Sequence, residues 1–368
     1  MNLQKLYNLS IMSYGEGTRR LLGSWSLAPL NVLMEITYAC NLTCDFCQFR
    51  KGAGLKKELP SSFFRDLSLS FPPFTLLSFT GGEPFVKPGF MDMLAEVSAK
   101  RRVHIFTNGT LVDGARAQSL VSWAPRRLMG QGVLLIGFSV EGIGEIHDRV
   151  VGKRGSFQRV EEAVMLIREE RLRQRKDFPK MELKVVLTPR TLENIIPLYF
   201  KAHEWGMDMF DLMAINSIPH ESRIDDGEGI PRDTPPPPIP PKEIEKILRT
   251  LSHLEEELRV PIRFTPQGGG KRYFLDHYRN RVLLEGYTCY APWTTMGVNP
   301  RGIAYVCPYK KIGDLREAGW REVFNSTGAQ DFRKKVMRGL FPGCQGCCFL
   351  VKKPQKVVRA KEKERWER

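Results

Sequence analysis

Six apolar runs, at residues 32–37, 74–79, 103–106, 133–140, 183–187 and 210–215, each stop on a polar or glycine-bearing turn, and stretches of helical spacing separate them. No other feature of the chain narrows its topology as much. Strands that alternate with helices run parallel through right-handed crossovers, and the sheet they form curls with its loops at the carboxyl ends of the strands. The expectation is an α/β fold, a partial (β/α)6 TIM-like barrel. Residues far apart in sequence but placed on those loops then share one rim, and hence one site.

The rim turns carry the chemistry. The first is Cys40-Asn-Leu-Thr-Cys44-Asp-Phe-Cys47, three thiols in eight residues. Three soft thiolates without a fourth protein ligand suit an iron–sulfur cluster with one open iron. A disulfide framework conflicts with the odd count, and zinc, the other alternative, takes paired Cys-x2-Cys or Cys/His ligands. The second turn is Thr80-Gly81-Gly82-Glu83-Pro84: two glycines let backbone groups approach a ligand, and the Glu83 carboxylate can accept from an ammonium, although a tight turn also explains a glycine pair. Asn108 lies on the third. On the fourth, Ser139 and Glu141 stand two residues apart and so share a strand face. Farther on come Arg149 and Arg154, then Asn194 at the start of a helix whose Leu192, Ile195, Ile196, Tyr199 and Phe200 read as a core stripe.

The Cys-x3-Cys-x2-Cys spacing with Phe46 before the last cysteine, followed by these turns, resembles the radical SAM superfamily. The resemblance implies that Cys40, Cys44 and Cys47 are catalytic and hold a 4Fe–4S cluster that binds S-adenosylmethionine. It places Phe46, Gly81, Gly82, Glu83 and Asn108 around the cofactor, with Glu83 at the methionyl amine. Ser139 and Glu141 fall on the ribose side, and Asn194 faces the barrel mouth. An arginine pairs with the cofactor carboxylate; its usual position is Val151 here, so Arg149 and Arg154 are both candidates.

A second cysteine group lies near the end of the chain. Residues 220–241 carry seven prolines between Pro231 and Pro241 and read as a polyproline connector to a helix over 241–258, with Ile244, Ile247, Leu248, Leu251 and Leu254 apolar. A hairpin turning at 300–302 brings Cys289 and Cys307 together, and Cys344 and Cys347 complete four thiolates, for a cluster or for zinc. Cys348 is the alternative to Cys347. The Cys-x12-Gly-x4-Cys element, Ile312-Gly-Asp-Leu315 and the later Cys-x2-Cys resemble the extension called SPASM in its long form and twitch in its short one. The long form needs more cysteines than remain, so the resemblance implies one auxiliary 4Fe–4S cluster on Cys289, Cys307, Cys344 and Cys347.

The 368 residues, 42% of them hydrophobic, exceed a usual single domain. The expected divisions are a lead-in (1–30), the barrel (31–219), a Pro-rich connector and helix (220–285), a twitch/SPASM-like domain (286–350) and a basic tail (351–368). There is neither a run of eighteen apolar residues nor a signal pattern, so a cytoplasmic protein without a transmembrane segment is expected, its eight cysteines metal ligands rather than disulfides. The net charge of +15 suits an acidic partner and also reads as solubility. The resemblance implies an oxidoreductase or maturase that reductively cleaves S-adenosylmethionine to a 5′-deoxyadenosyl radical and oxidises a peptide or small-molecule substrate, with an electron donor such as flavodoxin or ferredoxin. A nucleic-acid-modifying enzyme and a non-catalytic RNA- or partner-binding protein are the alternatives; nucleic acid is not the favoured partner.

Overall fold

The computed structural model describes residues 3–44, 46–47, 58–215, 238–266, 270–308 and 310–353. Its centre is a curled ten-stranded sheet. Strands β1 (Asn31–Thr37), β2 (Leu76–Gly81), β3 (Arg102–Thr107), β4 (Gly132–Ser139), β5 (Lys180–Leu187) and β6 (Met209–Ala214) lie side by side in chain order, and every pair is parallel. Helices α2 (Ser61–Ser70), α3 (Phe90–Ser98), α4 (Gly114–Ser122), α5 (Glu145–Val151), α6 (Ser156–Arg173) and α7 (Ile195–Glu204) make the crossovers. Alternation sets the faces: Val32, Met34 and Ile36 of β1 are buried on one side, and Ser68 of α2 reaches Met34. The α/β partial barrel is therefore as expected.

The parallel series runs one strand farther. After α8 (Pro241–Leu258), whose five expected apolar residues are all buried, β7 (Ile262–Thr265) pairs parallel with β6 and leads to α9 (Gly270–Tyr278). At the other edge β9 (Thr295–Val298) pairs parallel with β1, Asn31 opposite Thr295 and Met34 opposite Val298. β10 (Ile303–Cys307) and β11 (Lys310–Asp314) continue antiparallel, so the cysteine hairpin is an extension of the barrel sheet. Its turn closes with the Asn299 N–H donating to the Ile303 carbonyl at 3.0 Å. Around it lie α10 (Ala291–Thr294), α11 (Trp320–Phe324), α12 (Thr327–Arg338) and a two-stranded pair, β8 (Tyr287–Cys289) with β12 (Leu350–Lys352), in which Cys289 faces Leu350.

Four local features are set by packing. The lead-in contains a 20-residue helix, α1 (Leu3–Leu22), which docks on α10; Gly15 sits where a Cβ would meet the Tyr290 side chain at 2.6 Å. Pro60 precedes α2, and Ser61, the first residue of the helix, donates its hydroxyl to the Pro88 carbonyl. Phe200 is half exposed rather than core, because the α7 stripe that meets the sheet is Ile195, Leu198, Tyr199 and Ala202. Phe74 precedes β2 and is exposed. The proline run up to 237 and the basic tail from 354 lie outside the described residues. No helix among the described residues is long and apolar enough to cross a membrane.

The inner face of the sheet is unusually charged. Arg263 of β7 donates to Glu182 of β5 at 2.9 Å and to Asp211 of β6 at 2.6 Å, Lys184 also pairs with Asp211, and Thr265 Oγ1 donates to Asp211 at 2.7 Å. Two cations and two anions balance, which is how charges survive burial. Their partners hold both carboxylates below the ordinary range against the upward effect of burial.

Candidate active site

The three clustered cysteines hang from the carboxyl end of β1. Their loop is fastened from both sides. Thr43 N donates to the Val151 carbonyl at 2.9 Å, Lys153 Nζ to the Asn41 carbonyl at 3.4 Å, and Gly152 (φ 69°) lies so close that a Cβ there would be 2.2 Å from Thr43 Oγ1. From β3, Asn108 Nδ2 donates to Asn41 Oδ1 at 3.0 Å and approaches Cys40 Sγ at 3.8 Å, while Thr110 Oγ1 donates to Asn108 Oδ1. All three thiols are free. Burial raises the Cys40 and Cys44 thiols, Cys44 to about 12, and the neighbouring thiols with Glu141 add to it. Thiolates at such positions require a bound metal centre to hold them ionised.

The glycine pair is needed because β1 passes directly beside it. Gly82 N donates to the Thr37 carbonyl and Glu83 N to the Ala39 carbonyl; a Cβ on Gly81 or Gly82 would stand 2.2 Å from one of those oxygens. Glu83 is wholly buried with both carboxylate oxygens engaged: Oε1 accepts from Thr107 Oγ1 at 2.8 Å and Phe85 N at 3.1 Å, Oε2 from Asn108 N at 2.7 Å. Three bonds thus fall on the Glu83 carboxylate, only one of them on Oε2, which keeps capacity for a further donor. Its side chain ties the ends of β2 and β3 together, and burial pushes it up to about 7. Glu141 is also buried, pushed up to about 8, and accepts from Val186 N at 3.2 Å. Ser139 stands half-buried on the strand just before it.

The other four thiols meet in a second place. Cys289, Cys307, Cys344 and Cys347 line one cavity with roughly 400 Å³ of atom-free space, part of it open to solvent, and its other walls are apolar. Burial, then the three companion thiols, lifts Cys289 well above the usual thiol range; burial takes Cys344 to about 12. Cys348 is outside that lining: it hydrogen-bonds Cys347 and senses Lys184 of the barrel interior. Four thiols around an apolar hollow fit a fully ligated cluster, and the three at the rim fit one with an open iron.

Family comparison agrees at both places. Residues 34–179 match the radical SAM superfamily, and residues 289–348 match SPASM, an iron–sulfur cluster-binding domain. The chain belongs to the radical SAM superfamily. Over 326 residues it is 24% identical to the AdoMet-dependent heme synthase of Methanosarcina barkeri, covering 83% of this chain and 84% of that one. It is 23% identical over 340 residues to AlbA, the antilisterial bacteriocin subtilosin biosynthesis protein of Bacillus subtilis, covering 88% and 67%. The crystal structure of Streptococcus suis SuiB bound to precursor peptide SuiA superposes with a TM-score of 0.61 at 14% identity, over 90% of this chain and 74% of that one, a likeness of fold.

As a radical SAM enzyme the protein uses S-adenosylmethionine and a 4Fe–4S cluster, cleaves the cofactor reductively to a 5′-deoxyadenosyl radical, and carries auxiliary iron–sulfur chemistry in its SPASM domain. At its rim the structure gathers Cys40, Cys44, Cys47, Gly81, Gly82, Glu83, Asn108 and Glu141, with Phe46 half-buried beside Cys47. Arg149 and Arg154 are exposed. Asn194, buried under α7, accepts from Ile143 N and so holds the loop after β4. Sequence reading missed Asn41, Thr107 and Thr110, whose only signal was a cluster of small polar residues at the ends of β1 and β3, on either side of β2. It also missed Glu58, which accepts from Tyr38 N at 2.7 Å and pairs with Lys87.

Proposed function

We propose that this radical SAM enzyme removes a hydrogen atom from a peptide or protein residue and oxidises the resulting substrate radical through its auxiliary cluster. The observation that supports this most directly is the cavity lined by Cys289, Cys307, Cys344 and Cys347 on the same sheet as the Cys40 loop. Cys289, Cys307, Cys344 and Cys347 would occupy every protein-facing position of a cluster held there, so the group would supply an electron acceptor and not a substrate-binding site. Cys40, Cys44 and Cys47 ligate the first cluster. Gly81 and Gly82 present backbone to the methionyl end of the cofactor, Glu83 stands at its amine while Thr107 and Asn108 brace that carboxylate, and Ser139 with Glu141 lies toward the ribose. Arg149 or Arg154 reaches the cofactor carboxylate. One hydrogen atom leaves the substrate for the deoxyadenosyl radical, one electron for the auxiliary cluster and one proton for solvent.

A peptide substrate is favoured by the names of the relatives, AlbA in subtilosin biosynthesis and SuiB bound to its precursor peptide. The heme synthase relative makes a tetrapyrrole the second class to assay. Eight cysteines, none in a disulfide, suit a reducing, cytoplasmic setting, and the net charge of +15 suits an acidic one-electron donor of the flavodoxin or ferredoxin kind.

The test is anaerobic reconstitution with iron and sulfide, followed by mass spectrometry of cofactor and substrate. Changing Cys40, Cys44 and Cys47 together to Ala abolishes 5′-deoxyadenosine. Changing Cys289, Cys307, Cys344 and Cys347 together leaves abortive cleavage but removes the product that is lighter by two hydrogens. Deoxyadenosine from the first variant, or oxidised product from the second, refutes the reading.

A further inference from the structure

Arg333 of α12 is fully buried, and all four of its hydrogen-bond acceptors are neutral. Nε donates to the Pro292 carbonyl at 2.7 Å, one terminal nitrogen to the Ser24 carbonyl at 3.0 Å and Asn325 Oδ1 at 3.1 Å, and the other to the Phe324 carbonyl at 2.7 Å. The guanidinium carbon lies 4.7 Å from the centre of the Phe324 ring. Arg263, comparably buried, is by contrast held between two carboxylates. Carbonyls satisfy the donors of Arg333 but leave its net charge in place, and a buried charge without a counter-charge is strongly unfavourable. Burial pulls it down to about 10, so it is protonated at neutral pH.

The four-thiol cavity offers a place for the missing anion, because Arg333 and the cavity share wall residues. Pro292, which accepts from Nε, is part of the wall of the four-thiol cavity, and so are Phe332, next to Arg333 in sequence, and Val336 one turn on. Apart from its thiols that wall is apolar. A four-iron cluster with four thiolates is an anion, and reduction adds one more negative charge. Apolar walls oppose that step, whereas a fixed positive charge close behind them favours it.

We propose that Arg333 is the counter-charge of the auxiliary cluster: it stabilises the reduced form, raises the reduction potential, and so lets the cluster take the substrate's electron. The proposal rests on the reading of the four-thiol cavity as a cluster site. Arg333 acts here through space, behind the cavity wall, and is not a catalytic residue.

The test is a redox titration followed by electron paramagnetic resonance in protein lacking Cys40, Cys44 and Cys47, so that only the auxiliary cluster responds. Arg333→Gln makes reduction about tenfold less favourable, a fall of about 59 mV for one electron. Asn325→Asp sets a carboxylate against the guanidinium where Oδ1 now accepts, and lowers the potential in the same direction without removing the arginine. Arg333→Lys keeps the charge and stays within about threefold of the parent. Equal shifts in the Gln and Lys variants, or an unmoved potential in Asn325→Asp, overturn the proposal; if the Gln variant fails to fold, the Asp variant decides. Absence of iron and sulfide from the parent protein overturns the cavity reading itself, an outcome distinct from a cluster whose potential ignores the charge.

Discussion

Glu83 and Glu141 are buried carboxylates at the cofactor rim, and every hydrogen-bond donor given to them is neutral: Thr107, Asn108 and Phe85 for the first, Val186 for the second. Burial takes them from an ordinary 4.5 to about 7 and about 8. Below their ordinary value both are protonated in the folded and the unfolded chain, and no stability is lost. As pH rises from there the unfolded chain releases protons that the folded chain retains, so stability falls until pH passes the folded values. The full loss is on the order of 3 kcal/mol for Glu83 and 5 kcal/mol for Glu141. His104, His147 and His277 oppose this: burial pulls them down to about 3, 4 and 4, and stability they lack in acid returns as pH rises through 6.5. The informative quantity is therefore a difference, wild type minus the Glu83→Gln, Glu141→Gln double variant, in which the histidines cancel. Urea unfolding of the metal-free proteins at about pH 5.5, 7 and 8.5 should show that difference falling steadily by several kcal/mol. S-adenosylmethionine, which brings an ammonium and a sulfonium to the rim, should protect the wild type more at the alkaline end. A difference that stays constant with pH would refute the reasoning.

Three further outcomes are expected. Gly152→Ala should lower iron bound at the first site while sparing the second, because its Cβ would meet Thr43 Oγ1 at 2.2 Å; adding Thr43→Ala should restore part of the iron, and no restoration would locate the damage elsewhere. Asp211→Ala should destabilise the fold by about 3–5 kcal/mol in chemical denaturation, since Lys184 and Arg263 are left to share Glu182; an unchanged midpoint would show the charge network to be idle. In protein lacking the first three cysteines, Cys348→Ala should retain about four irons and Cys347→Ala should not, and the reverse result would exchange their roles.

The parallel series was legible because each strand is an apolar run cut off by a polar turn, and α8 because its five apolar positions recur on one face. β7 was not, since its four residues, Ile-Arg-Phe-Thr, include an arginine that a burial pattern rejects; only Glu182 and Asp211, on strands distant in sequence, make Arg263 acceptable inside. α1 is poorly marked in the sequence because it carries Gly15 and Gly17, weak helix formers, although Gly15 is the space that Tyr290 fills. At the site, spacing grouped the cysteines correctly, because cluster ligation is written in intervals. The task of Glu83 was not readable in the same way. Residue type says that a carboxylate can take an ammonium, but only the approach of Thr107 and Asn108 from the next strand shows that it also ties β2 to β3.

β9 lies in register beside β1, and this joins two pieces of chemistry mechanically. β1 ends in the Cys40 loop and β9 opens the hairpin that ends in Cys307, so the span between the two redox centres is set by hydrogen-bonded neighbours rather than by a linker. The proposed electron transfer would therefore run between two sites whose spacing is fixed by strand register. Changing that span would mean shifting the register of β9 against β1, a rearrangement of the sheet itself and not of a loop.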